Sequence, residues 1–168
     1  MGVKLYLAST SGPSFSRFEN LLRKALQRGG SSLADSRKAQ AWWEVEILTR
    51  TVNSAEGFFY DPDNDWSLLW RFGLDWRSNI MSLTDDHGEL KGENLRKFRD
   101  LIANRKMSFP SQDELEALLP CLGSNRRALL KEWHKSLRTG RERLLALLNR
   151  AIQLKAAVRS EYKEDGED

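Results

Sequence analysis

The chain has 168 residues, 40% of them hydrophobic and 30% charged, which is enough for one folded domain with its own core. Its single cysteine, Cys121, excludes an internal disulfide and removes the Cys/His clusters that structural zinc requires, so neither a metal nor a cofactor is expected. No run approaches the ~20 apolar residues of a membrane span, and the apolar start at Met1 to Tyr6 is too short for a signal peptide; a soluble, cytoplasmic protein without membrane contact is the expectation.

In chain order, Val3, Leu5 and Leu7 alternate with Lys4 and Tyr6, the period of two of a short strand. Ser9 to Ser14 breaks it at Gly12-Pro13. A helix over Ser14 to Gln27 then places Phe15, Phe18, Leu22 and Leu26 on one face and stops at Gly29-Gly30. Ser31 to Glu56 lacks Gly and Pro and reads as helix through Ala41, Val45, Leu48 and Val52, with a strand over Trp43 to Val52 as the rival. Gly57 opens a loop that runs through Asp61 to Asp65, and a short amphipathic helix capped by Asp65 follows through Trp66, Leu69 and Trp70, ending near Phe72 before Gly73. Ile80 to Thr84 is expected as a strand turning through Asp85 to Gly88. Gly92 to Asn104 is a helix burying Leu95, Phe98, Leu101 and Ile102, and Ser111 with Glu114 makes a capping box for a helix that ends at Pro120.

The longest helical signal is the last. Leu130, Trp133, Leu137, Gly140, Leu144, Leu147, Ala151, Leu154 and Val158 keep a three-four spacing, which predicts a helix from Asn125 to about Tyr162, with a break at Thr139-Gly140 as the alternative. The acidic residues 161–168 read as a disordered tail. The sum is a mainly α protein: a single domain over 1–160, built as a bundle of about five to six helices with a short N-terminal strand and a minor β-hairpin, α+β being the alternative.

Charge is distributed unevenly. The formal net charge is +3, yet Cys121 to Arg159 alone holds ten cations against two acids, Glu132 and Glu142, flanked by stretches of net negative charge. A helix stabilised by its own charges would interleave Glu at i,i+4; here the repulsion is left uncompensated, and an anionic partner would relieve it. Arg126, Arg127, Lys131, Lys135, Arg138, Arg141, Arg143 and Arg150 are therefore the expected contacts to a nucleic-acid backbone or nucleoprotein. The plain alternative is a solvated helix face, some of whose cations pair with acids of Asp61 to Asp65 or Asp113 to Glu116.

Motifs of catalysis are weaker. Asp61, Asp63 and Asp65 imitate the start of a calcium loop, but Trp66 stands at the glycine position and Phe72 where the bidentate Glu belongs, so a turn is the better reading. Pro62-Asp63 with Glu89-Leu90-Lys91 resembles the PD-(D/E)xK nuclease pattern, and Glu89 to Lys91, set between two glycines, reads as a surface turn. Arg127 and His134 match the spacing of the Arg-x(4–6)-His motif and in this resemble HEPN ribonucleases, which implies a metal-independent activity with His134 as acid or base and Arg127 on the phosphate. No other histidine-based site stands out.

Six tryptophans are many for this length, and most read as core. Trp42 and Trp76, the latter beside Arg77, are the expected partly exposed members and, with Arg77, the expected protein interface. The functional expectation is a non-enzymatic accessory, regulatory or inhibitory binding module on nucleic acid or nucleoprotein. Its alternatives are a protein-association module, including a homodimer through the heptad stripe, and the HEPN-like ribonuclease.

Overall fold

The computed structural model describes residues 2–8, 58–62, 65–118 and 126–163. The helix expected over Ser14 to Gln27, the helix or strand over Ser31 to Glu56, Trp42, Cys121 and residues 164–168 lie outside them.

Four antiparallel strands form one sheet in the order β2-β1-β4-β3: β1 (Gly2–Leu7), β2 (Phe58–Pro62), β3 (Glu89–Leu90) and β4 (Val158–Lys163). The strand expected at the N-terminus is thus an inner one, paired on one side with β2 (Leu5 opposite Phe59) and on the other with β4 (Leu5 opposite Ser160). Every side chain of β1 is buried, so its alternation separates two covered faces rather than a dry face from a wet one. Gly2 is required by a close approach: a methyl group there would stand 2.2 Å from Tyr60 Oη.

The helices are α1 (Gly92–Asn104), α2 (Gln112–Leu118) and α3 (Arg126–Gln153). Leu95, Phe98 and Ile102 of α1 and Leu115 of α2 pack toward α3, whose buried face is Trp133, Leu137, Gly140, Leu144, Leu147, Leu148 and Ala151. These residues share one core with Val3, Leu5, Leu7, Phe59 and Val158 of the sheet. With the described helices packed against a small antiparallel sheet, the class is α+β, and the pure helical bundle is corrected to its alternative.

Two further expectations change. α3 runs unbroken through Thr139 and Gly140, where a break was the alternative, because Gly140 is buried on the core face and Arg141 is tied to α1. It also ends at Gln153 rather than near Tyr162. There the N–H of Ala156 reaches the Ala151 carbonyl (2.9 Å) and that of Lys155 the Ile152 carbonyl (3.1 Å), a Schellman turn with Lys155 at φ 54° in the position glycine prefers. The chain reverses into β4, so Val158 belongs to a strand, and Glu161, Tyr162 and Lys163, expected in a disordered tail, pair with β1.

Residues 76–83, expected in part as a strand, form a single π turn (Trp76–Ile80) and a 3₁₀ turn (Met81–Leu83), fixed by Asp75, whose carboxylate accepts from the Ser78 N–H and hydroxyl. The short helix expected through Trp66, Leu69 and Trp70 is present as a 3₁₀ helix over Leu69–Phe72 that closes on Gly73 at φ 68°. Its cap is Asp61, not Asp65: the buried Asp61 carboxylate accepts from Leu68 N (2.6 Å), Leu69 N (3.1 Å) and Ser67 Oγ (2.6 Å). The acid that imitates a calcium ligand is therefore a helix cap reached from β2.

Candidate functional site

A helix advances 100° per residue, so Arg127, Lys131, Lys135 and Arg138 fall within about 80° of one another on α3, in a row about 17 Å long. All four are exposed, and no carboxylate of the described residues pairs with them. The apolar face of α3 is held on the other side of the helix. Trp133, 1% exposed, stacks at a tilt on Trp66 (centroids 4.6 Å apart) and lies under the Arg71 guanidinium (4.9 Å). Arg71 in turn bonds Glu114 at 2.8 Å. The Ser111 hydroxyl accepts from Glu114 N–H as expected, while the Glu114 side chain turns to Arg71 instead of closing the box.

The other four expected contacts behave differently. Arg126 forms an ion pair with Glu116, one of the intramolecular acids the plain alternative named. Arg141 donates from Nε to the Ile102 carbonyl (3.1 Å) and from Nη2 to the Ala103 carbonyl (2.8 Å), supplying the last turn of α1 with donors for orphan carbonyls and a cation for its negative dipole end. Arg143 and Arg150 leave α3 about 100–130° round from the row. The row thus keeps four of eight.

His134 stands beside the row, half-buried. Its Nε2–H donates to the Pro110 carbonyl at 2.8 Å, and its ring meets Phe109 with centroids 5.0 Å apart. The Arg138 guanidinium lies 5.8 Å from the same Phe109 ring. Phe109 is 40% exposed, so an aromatic surface opens at the C-terminal half of the row. No periodic pattern singles it out: Phe109 sits in the irregular segment Lys106 to Ser111, before Pro110. Arg127 and His134 share a side of α3 about 10 Å apart along the axis.

The tryptophans exchange roles with respect to expectation. Trp76, expected to be partly exposed, is 6% exposed and stacks on Tyr162 (6.1 Å, 23°), whereas Trp70, read as core, is 43% exposed. Trp76 and Arg77 do line one open cavity of about 850 Å³, together with Asp85, Ser160 and Tyr162, and the Arg77 guanidinium lies 5.5 Å from the Tyr162 ring. Asp85 is pushed down to about 2, first by the backbone N–H of Glu89 and then by the Lys91 ammonium, which marks it as the organiser of the turn into β3. Glu89 and Leu90, read as a surface turn, are that strand; Asp63 lies outside the described residues.

A polar cluster that sequence reasoning missed lies between β1 and β4. Lys4, 4% exposed, pairs with Glu161 at 2.8 Å, and the Tyr6 hydroxyl donates to the same carboxylate at 2.5 Å. Burial pushes the Glu161 carboxyl up, but the Lys4 ammonium and the Tyr6 hydroxyl outweigh it and leave it below the usual range. Tyr6 is raised, first by burial and then by that carboxylate. The cluster ties the two ends of the described fold together.

No group of three or more His, Cys, Asp or Glu among the described residues is placed to hold a metal ion, and no described helix is long and apolar enough to cross a membrane. Comparison of the chain with protein-family models, curated proteins and solved structures gives no match to any of them.

Proposed function

We propose that the protein is a non-enzymatic binding module, an accessory or inhibitory subunit that grips a nucleic-acid backbone, free or within a nucleoprotein, through Arg127, Lys131, Lys135 and Arg138. The observation that carries this reading is the row itself: four exposed cations on one helix face with no carboxylate of the described residues against them. Such a face raises the potential along one line, which suits a polyanion better than a compact acidic group. The apolar stripe that would serve a helical homodimer is buried in the chain's own core, and His134 is engaged by Pro110, so the row is the feature of α3 left for a partner.

Four phosphate contacts give a log–log salt slope of about −3.6 on duplex and −2.8 on single strands. Raising salt from 50 to 200 mM should then weaken binding about 150-fold and 50-fold respectively. Exchanging all four row residues for Gln should abolish the salt-dependent binding, while Arg150→Gln, off the row, leaves the slope unchanged. Absence of binding to either form at low salt, or an equal loss with Arg150→Gln, overturns the reading.

A further inference from the structure

We infer that the row takes single-stranded nucleic acid, with an unpaired base stacked on Phe109. The inference rests on reading the row as a phosphate-binding surface and adds what phosphate contacts alone cannot supply, a choice between strand forms. Phosphates are common to duplex and single strand, but the face of a base is available only when it is unstacked, so an open aromatic ring beside a cationic track selects for the single strand.

Among the described residues, Phe109 meets that requirement beside the row. Phe109 keeps 40% of its surface open although His134 (5.0 Å between centroids) and Arg138 (5.8 Å from guanidinium to ring) both lie against it. Those contacts, and the Pro110 carbonyl bonded to His134 Nε2 at 2.8 Å, hold the ring against the helix carrying the row. The Ser108 N–H, bonded to the Arg71 carbonyl at 2.6 Å, fixes the segment from the preceding residue. The ring is therefore presented from two anchored neighbours. A nucleotide stacked on it has its phosphate within reach of Arg138, and the strand continues toward Lys135, Lys131 and Arg127. A protein partner would want a contiguous apolar patch; Phe109 is a single ring bordered by charge, which fits a base and its phosphates better.

The test compares a fifteen-nucleotide oligo-dT or oligo-U with a duplex of equal length at one salt concentration. Wild type should prefer the single strand. Phe109→Leu, which keeps an apolar side chain but no π face, should weaken single-strand binding about 5- to 150-fold, leave duplex binding and the salt slope unchanged, and be rescued by Phe109→Tyr. Abasic sites placed along the oligonucleotide should produce the same loss on wild type, a readout that depends on no variant folding. Equal loss on both strand forms, no loss with Phe109→Leu, or indifference to abasic sites overturns the inference while the row stands. Failure of wild type to bind either form removes the row and this inference together.

Discussion

Replacing one central cation tests whether the row is open surface, without any knowledge of the partner. Lys131 stands four residues after Arg127 and four before Lys135, and all three are exposed. A like-charged i,i+4 pair costs a helix about 0.2–0.5 kcal/mol and an opposite pair returns as much. Lys131→Glu turns two repulsions into two attractions, a swing of about 0.8–2 kcal/mol at low ionic strength. Lys and Glu have nearly the same helix propensity, so little else changes. In a domain of this size the swing raises Tm by roughly 2–8 °C. At 1 M salt the screening length of ~3 Å is shorter than the ~5–6 Å between neighbouring Cβ atoms, and most of the gain should vanish. Thermal melts followed by circular dichroism at 10 mM and 1 M salt measure both. Nucleic-acid affinity, followed in parallel, should fall, so that the variant is more stable and binds worse. A variant that melts at or below the wild-type temperature at low salt would mean that the cations are already neutralised, and the reason to expect an anionic partner would be gone.

Three other outcomes follow from the fold. Arg141→Ala should cost about 1.5–3 kcal/mol, because two carbonyls at the end of α1 lose a charged donor, and Arg141→Lys should restore only part of it for want of the guanidinium fork; urea midpoints at constant slope would report this. Lys155→Gly should stabilise by about 0.5–1 kcal/mol, since the left-handed conformation at φ 54° costs a lysine about 1–2 kcal/mol and glycine gives some back through its looser unfolded chain, a gain visible by calorimetry. The depressed Glu161 carboxyl sets a sign: its stabilisation is full above the ordinary carboxylate range and is lost as pH falls through the lower folded value. Wild type should therefore exceed Glu161→Gln in stability at pH 7, with the difference closing below about pH 4; a pH-independent difference in urea midpoints would contradict the Lys4–Glu161–Tyr6 account.

Local chemistry was legible in the sequence wherever a single element decided the outcome. The alternation of Val3, Leu5 and Leu7, the bounds of α1, the Ser111 cap, the Gly73 stop and the inward Trp133 all follow from spacing and turn residues. What failed was decided at long range. In β4 only Val158 and Tyr162 have strong strand preference, and Val158 also extends the helical stripe from Leu154; the strand forms because β1 offers an unpaired edge some 155 residues away. The same holds for charge. Counting cations could not separate Arg138 from Arg141, but their angular positions can: Arg141 falls between the row and the Leu137/Leu144 stripe, where a long side chain reaches a neighbouring helix rather than solvent. Phe109 had no periodicity to betray it, since its exposure is set by the path of the segment between α1 and α2.

The row matters because the rest of the fold makes it rigid. A basic tail can neutralise as many phosphates, but it must be ordered on binding, and that cost is taken from the affinity. Here the orientation of α3 is fixed from several sides. The sheet and α1 hold its apolar face, Arg141 fastens it to the end of α1, Arg71 lies across Trp133, and the turn at Lys155 commits the chain to pairing with β1. None of these contacts uses Arg127, Lys131, Lys135 or Arg138. Loosening any one of them should therefore reduce affinity by making the row mobile rather than by removing a charge, which leaves the salt slope unchanged. Arg141→Ala is the discriminating case: as a backbone cap it should weaken binding at constant slope, whereas a phosphate contact at that position would reduce the duplex slope by about 0.9.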